Sequence, residues 1–404
     1  MNVLTSPVSK AEATVSTAFK VANISGGQSR GDLSRQWISR PADERFLSLG
    51  ELYRTVKARA DVTFEDRVET RGIEFIAPEP TTLDDTHRMT VGLRDGREFA
   101  PTHWSFNQLA QLAGAPAGYL RKLPSQIVAD ALSYGMRYNR SNEAIKIYGR
   151  DGLDLRAATG PDYGRIFDHE VVAAVQQIAG NGTGDSRWKV PGVMDWRTMI
   201  YDPEHPVTKE TTTLYASDRD VFIFLVDDRN PISVGKLPNG DDDLMFRGFY
   251  VTNSEVGKSS LRIAAFYLRA ICCNRILWGV EGFQEVSMRH SKYAPARFVE
   301  EARPALQSFA EGSSRLLLEG VDRAKAAKIA EDKDEALEFL AARGLSRKRA
   351  VEVYDSVLEH EGREIRTVWD VAQGITRVAH SIPYTDERVD FERIAGKLLD
   401  KVAA

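Results

Sequence analysis

Met245–His290 reads MFRGFYVTNSEVGKSSLRIAAFYLRAICCNRILWGVEGFQEVSMRH, and the rest of the chain is organised around it. Gly257 separates two runs dense in aromatic and apolar residues, so the expected local structure is a glycine turn between paired strands, or a strand followed by a helix. Leu261–Cys273 decides between them. In a helix, Arg262 and Arg269 share one face, with Lys258 a turn earlier. In a strand, their odd spacing puts the two arginines on opposite faces and places Tyr267 beside Arg269. A ring and a guanidinium on one surface suit single-stranded nucleic acid, whose bases stack on rings while its phosphates follow cations. The candidate nucleic-acid-binding residues are therefore Lys258, Arg262, Tyr267, Arg269, Arg275, Trp278, Arg289 and Lys292, with Tyr267 or Trp278 stacking bases. The competing reading is an ordinary core with surface arginines.

Charge distribution bears on the same question. The 404-residue chain has a net charge of -4, but Arg247–Arg297 holds eight Lys or Arg against three Glu. From Phe298 to the end, 17 basic residues face 21 acidic ones. A basic middle between acidic flanks fits a phosphate-bearing partner, or one region docking on another. Hydrophobic residues at 42% and charged residues at 28% are ordinary for a globular protein, and the length suffices for two or three domains. The two cysteines, Cys272 and Cys273, are adjacent and offer no disulfide framework. No long uncharged apolar run is present, and the start, MNVLTSPVSKAEATV, lacks the apolar core of a signal peptide. The expectation is a cytoplasmic protein with no membrane span.

Residues 1–35 are rich in Ser, Ala and Gly and read as a loose tail. An α+β body is expected over 36–297, with a mixed or antiparallel sheet and packed helices. Within it, 103–138 reads as a helical unit: Ser105 and Gln108 form a capping box, Trp104 and Leu109 staple it, Gly114 ends it, and Ser125 caps a second helix. AIKIYG and LDLRAA flank Arg150-Asp151-Gly152, a hairpin signal. Asp168 is placed to cap the helix VVAAVQQIAG. Asp220–Val226 is apolar on both faces and reads as a central strand. From 298 to 404 the pattern is mostly helical, with a break at Gly344 and a cap at Ser346.

Other motifs are weaker. Gly257-Lys258-Ser259 lacks the earlier glycine of a phosphate loop, since Thr252 stands there. The seven histidines are scattered, and adjacent cysteines are poorly arranged for one tetrahedral zinc. No cofactor, metal or catalytic residue is assigned. Asp227-Asp228 and Asp241–Asp243 keep open a metal-dependent phosphodiesterase, although both lie beside turn signatures. A second aromatic and basic region runs from Tyr134 to Arg165 and includes Arg137, Tyr138, Arg140, Lys146, Tyr148, Arg150, Arg156 and Tyr163, with acids interleaved. Arg347, Lys348 and Arg349 could enter a groove as part of a helix-turn-helix, against the plainer reading of a helical hairpin.

Four stretches carry a family likeness: SFNQLAQLAGAPAGYLRKLP, GFYVTNSEVGKSSLRI, the Cys-Cys-Asn of AICCNRILW leading to Arg289-His290, and TVWDVAQGITRVAH. With them the chain resembles the phage/plasmid-like family classed as domain of unknown function 932. The resemblance implies a protein of a phage, plasmid or integrated element and brings no reaction or catalytic residues. The expected function is DNA association without catalysis, through single-stranded nucleic acid bound on the central basic and aromatic surface. The alternatives are the phosphodiesterase and a self-assembling, homo-oligomeric interaction module.

Overall fold

The computed structural model describes residues 40–77, 89–138, 143–150, 152–195, 200–236, 240–269, 285–312 and 315–379, with short pieces at 19–20, 275–276, 382, 391, 394–399 and 401. The α+β class and the helical C-terminal region follow as expected. The chain begins on a central body. β1 (Phe19–Lys20) is followed by β2 (Arg45–Phe46) and α1 (Leu49–Asp61). The Ser48 hydroxyl accepts from the Glu51 amide to start α1, and the Glu51 carboxylate accepts from the Leu47 amide. Leu49, Leu52 and Val56 make its buried stripe.

The chain then leaves to build a separate unit over 64–159. β3 (Phe64–Glu69), β4 (Ile73–Ile76), β5 (Thr90–Leu93) and β6 (Glu98–Pro101) precede α2 (His103–Leu112), α3 (Ala117–Leu120) and α4 (Ser125–Tyr138). β7 (Ala144–Gly149) and β8 (Asp154–Thr159) close it as the expected hairpin. The six strands run in the order β3-β7-β8-β6-β5-β4. β6 and β8 are parallel and the other pairs antiparallel. Phe75, Val91 and Phe99 from the sheet meet Phe106, Leu109, Val128 and Leu132 from the helices in a core of their own.

The chain returns through α5 (Asp168–Ala179) to a small sheet of β1, β9 (Val193–Asp195) and β10 (Ile200–Asp202), and to a seven-stranded antiparallel sheet. The latter holds β2, β11 (Leu214–Ala216), β12 (Val221–Lys236), β13 (Asp242–Asn253), β14 (Leu261–Arg269), β15 (Arg275–Ile276) and β16 (Glu285–Met288). β12 lies between β11 and β13, as a strand apolar on both faces should. α6 (Ala294–Arg297) and α7 (Arg303–Glu311) continue the chain. Phe298, Leu306 and Phe309 pack into the same core as α1, α5 and one sheet face, so these helices sit with the central body rather than with the C-terminal region.

α8 (Arg315–Ala326), α9 (Lys333–Ala341), α10 (Arg347–Glu361) and α11 (Val368–Ala379) form the C-terminal region. Almost every side chain of α11 is buried, which makes it the axis of this core. Thr367 and Asp370 cap α11 reciprocally: Asp370 N–H donates to Thr367 Oγ1 at 3.3 Å and Thr367 N–H to Asp370 Oδ2 at 2.9 Å. Gly374 lets α10 approach, because a β-carbon there would lie 2.6 Å from Val357 Cγ2 and 2.9 Å from the Val353 carbonyl oxygen. Among the described residues, no helix is long and apolar enough to cross a membrane.

Three caps differ from expectation, the first being Ser125, which is the first helical residue of α4 rather than its cap. Thr102, not Ser105, caps α2, accepting from the Ser105 amide at 3.1 Å. The Ser105 hydroxyl instead donates to Leu155 O at 2.6 Å. The cap of α5 falls at Phe167, so Asp168 is its first helical residue and its carboxylate is free to serve elsewhere.

Candidate nucleic-acid interface

Leu261–Arg269 is a strand, and its pleat sorts the candidate residues. Leu261, Ile263 and Ala265 enter the central core, and Tyr267 follows them on the same face into the C-terminal core, where it is 1% exposed. The expected Tyr267 platform is therefore corrected: a ring packed with Ile232, Val234 and Met245 cannot stack a base. Arg262 lies on the opposite face, half-buried and paired in register with Thr252 and Ser287. Position 269 pairs with Met245, and position 275 with Leu268. The side chains of Arg269 and Arg275, like Trp278 and the two cysteines, lie outside the described residues.

Lys258, Arg289 and Lys292 come together at one end of the sheet. β14 pairs with β16 through Leu261 and Met288, so the segment before Leu261 runs beside the segment after Met288. Gly257 has φ 86°, the left-handed geometry of the turn between β13 and β14, and no helix follows it as a phosphate loop would require. Lys258 is 42% exposed and donates to Asp220 Oδ2 at 2.9 Å. Burial works against ionisation of Asp220, but donors from Arg40, Ser217 and Lys258 hold its carboxyl down at about 2. Arg289 and Lys292 are exposed. Beyond them Tyr293, which the sequence reading passed over, is 63% exposed with the Lys292 ammonium 5.0 Å from its ring centroid. Its signal is present in the run Arg289-His290-Ser291-Lys292-Tyr293, which straddles the end of the quoted stretch. Of the eight basic residues of Arg247–Arg297, Arg247 is 1% exposed and serves the fold, donating to Gly312 O and Phe309 O at 2.7 Å each.

Behind this surface lies a polar clasp that joins the 64–159 unit to the central sheet. Asn253-Ser254-Glu255-Val256, at the end of β13, is its centre. Arg156 Nη1 donates to Glu255 Oε1 at 2.7 Å, and both side chains are 4% exposed. Arg165 donates to the Glu255 carbonyl and, through Nε, to Glu65. The Asp168 amide donates to Glu255 Oε2 at 3.2 Å. Asn253 Nδ2 donates to Asp168 Oδ1 at 2.8 Å and to Ile166 O at 2.9 Å. Burial, and then the Glu255 carboxylate, raise the Asp168 carboxyl well above the ordinary range. Trp104 Nε1 and Gln108 Nε2 both donate to Val256 O, at 2.9 and 2.8 Å, while Gln108 Oε1 accepts from Ala158 N–H. Trp104 of the expected staple and Gln108 of the expected capping box thus bridge the two units, while Leu109 and Ser105 stay within the 64–159 unit. In the second aromatic and basic region, Tyr148, Arg156 and Arg165 are buried in this clasp, and Arg150 is paired with Asp154 at 2.7 Å.

The aspartate pairs are engaged within the fold. Asp227 takes Arg187 at 2.7 Å and Asn230 Nδ2 at 2.7 Å. Asp228 is fully buried and takes Tyr201 Oη at 2.7 Å, the Gly192 amide at 2.8 Å and Lys189 at 3.0 Å. Asp242 is bonded to Lys236 and Ser233. Among the described residues, no three His, Cys, Asp or Glu side chains are grouped to hold a metal ion. Arg347–Arg349 open α10, where Arg349 pairs with Glu352 at 2.7 Å and Lys348 is 87% exposed.

Residues 193–389 match the family model described as a domain of unknown function, DUF932. Over that stretch the chain is similar to this family. The DUF932 match runs from β9 past α11, so it takes in three of the four stretches that carried the likeness and leaves out SFNQLAQLAGAPAGYLRKLP, which belongs to the 64–159 unit. No curated protein and no solved structure matches the chain.

Proposed function

We propose that this chain binds single-stranded nucleic acid along Arg289–Tyr293 and the adjoining Lys258 loop. The observation that carries the reading is the solvated Tyr293 ring, flanked by the exposed cations Lys292 and Arg289. Such a ring stacks any base, and its neighbours neutralise phosphates, so recognition is tolerant of sequence. Tyr293 replaces Tyr267 in the stacking role, Arg262 borders the strip, and Arg269, Arg275 and Trp278 remain candidates to extend it. A cytoplasmic protein of a phage or plasmid-type element would use such binding on transiently unpaired DNA.

The test is fluorescence anisotropy with a labelled oligothymidylate across a salt series. Affinity should fall as salt rises, and each cation replaced by alanine at 289 or 292 should flatten the log–log slope by about 0.7. Tyr293→Ala should weaken binding by about 1–3 kcal/mol. No binding at low ionic strength, or binding untouched in the triple alanine variant, would sink the reading.

A second reading, a self-assembling interaction module, is favoured by α4. Its outer side exposes Ile127, Tyr134 and Tyr138, and the two rings lie 4.6 Å apart. Size measurement across a salt series without nucleic acid separates it: a mass that stays that of one chain at every concentration excludes it.

A further inference from the structure

We infer that Tyr163 is a positioning residue: it holds the Lys258 loop and the Arg289–Tyr293 strip together as one surface without itself forming part of the strip. The functional half of this inference rests on the binding reading above; the structural half stands apart from it. Tyr163 lies on the connection between β8 and α5 and contacts both segments at once. Toward the loop, its hydroxyl donates to Ser254 O at 3.2 Å, and its ring lies 3.5 Å from where a β-carbon on Gly257 would stand. Toward the strip, its ring stacks on His290 with centroids 5.0 Å apart and planes 18° from parallel, and its backbone bridges Ser291.

The neighbouring backbone makes the same join. Gly164 N–H donates to His290 O at 3.0 Å, and His290 Nδ1 lies 3.2 Å from Gly164 O. A β-carbon at Gly164 would fall 2.0 Å from Ser291 O, so the approach depends on glycine. From behind, Lys146 Nζ donates to Tyr163 O at 2.7 Å, which ties the whole arrangement to β7 of the 64–159 unit. Burial raises the Tyr163 hydroxyl far above the usual phenol range, so it remains a donor at any working pH. His290 sits between Arg289 and the Lys292–Tyr293 pair, so a shift of its ring moves cations on both sides.

The experiment compares Tyr163→Leu and Tyr163→Phe by amide hydrogen exchange and by oligothymidylate affinity. Tyr163→Leu should speed exchange in 254–260 and 289–293 together while leaving β12 unchanged, and should weaken binding about three- to tenfold, as loss of an aromatic pair implies. Tyr163→Phe keeps the stack and should restore most of the affinity, which a general loss of stability would not predict. Should the leucine variant not fold, Gly164→Ala makes the same test by pressing on Ser291. Exchange in 289–293 that stays as in the parent, or loosening of one segment without the other, overturns the inference. Coupled loosening in a protein that binds no oligonucleotide would uphold the positioning and remove the binding reading alone.

Discussion

The C-terminal helices and the 64–159 unit are held against the same central sheet, one by apolar packing and the other by charge. At the far end of the sheet, Ile232, Val234, Met245 and Tyr267 join Leu340, Val353, Trp369 and Ile375 in a continuous core. At the near end the shared apolar cluster is small, with Tyr148, Ala157 and Val256 at its centre, and Arg156, Trp104 and Gln108 of the unit hydrogen-bond the loop at Glu255-Val256, with Arg165 bonding both Glu65 and the Glu255 carbonyl. Apolar burial is non-directional and scales with area, so it gives strength without demanding one orientation. Buried charges tolerate only arrangements that satisfy all of them, so they fix an orientation while adding little net stability. One attachment supplies strength, and the other supplies register.

The comparison breaks most readily at its apolar side. Trp369→Ala should cost about 3–5 kcal/mol in denaturant unfolding, with amide exchange rising through 315–379 and little change in 64–159. Equal loosening of both units would show that the attachments are not independent. Glu255→Gln should cost about 2 kcal/mol by weakening charge-assisted hydrogen bonds, with exchange rising at 253–258 and 163–166. Combined with Trp369→Ala, its effect should add to within about 0.5 kcal/mol, as expected of separated sites. Thr367→Ala removes the cap of α11 and should cost about 1 kcal/mol, confined to the C-terminal region.

The smallest effect is a pH dependence. Burial, partly offset by the bond to Gly164 O, lowers the pKa of His290 below its ordinary value. The unfolded chain, titrating at about 6.5, therefore takes up this proton first. The stabilising contribution is complete above about pH 6.5 and is lost as pH falls through the lower folded value. Relative to the parent, His290→Asn should flatten the slope of stability against pH below that point, by at most one proton. A parallel slope would place the ring elsewhere than under Tyr163.

Much of the fold was legible because it rests on local pattern. The alternation in AIKIYG and LDLRAA around Gly152 and the Gly344–Ser346 break specify their elements within a few residues, whereas the two-sided apolar run at Asp220–Val226 specifies only the first half of β12, which continues past Asn230-Pro231 to Lys236 with register shifts after Asp227 and Ser233. Three of the departures have one physical cause. Ser105, Gln108 and Asp168 each have a local role that their spacing suggests, but each side chain is recruited by a partner distant in sequence: Leu155 for Ser105, Val256 for Gln108 and Asn253 for Asp168. Spacing describes what a polar side chain can do nearby, not which distant group will claim it. The same limit applies to Tyr267 and Tyr293. Both stand near arginines or lysines in the sequence, and only tertiary packing decides that one is core and the other surface.

The excursion at 64–159 leaves the central body at the end of α1 and rejoins it at α5, and these two helices pack side by side in one core. A detour that departs and returns at neighbouring points asks little of the frame around it. A short bridge from Asp61 to the start of α5 would close the circuit, leaving the sheet, α7 and the C-terminal helices with their own packing. The 64–159 unit is in that sense a cartridge, seated in the socket Asn253–Val256.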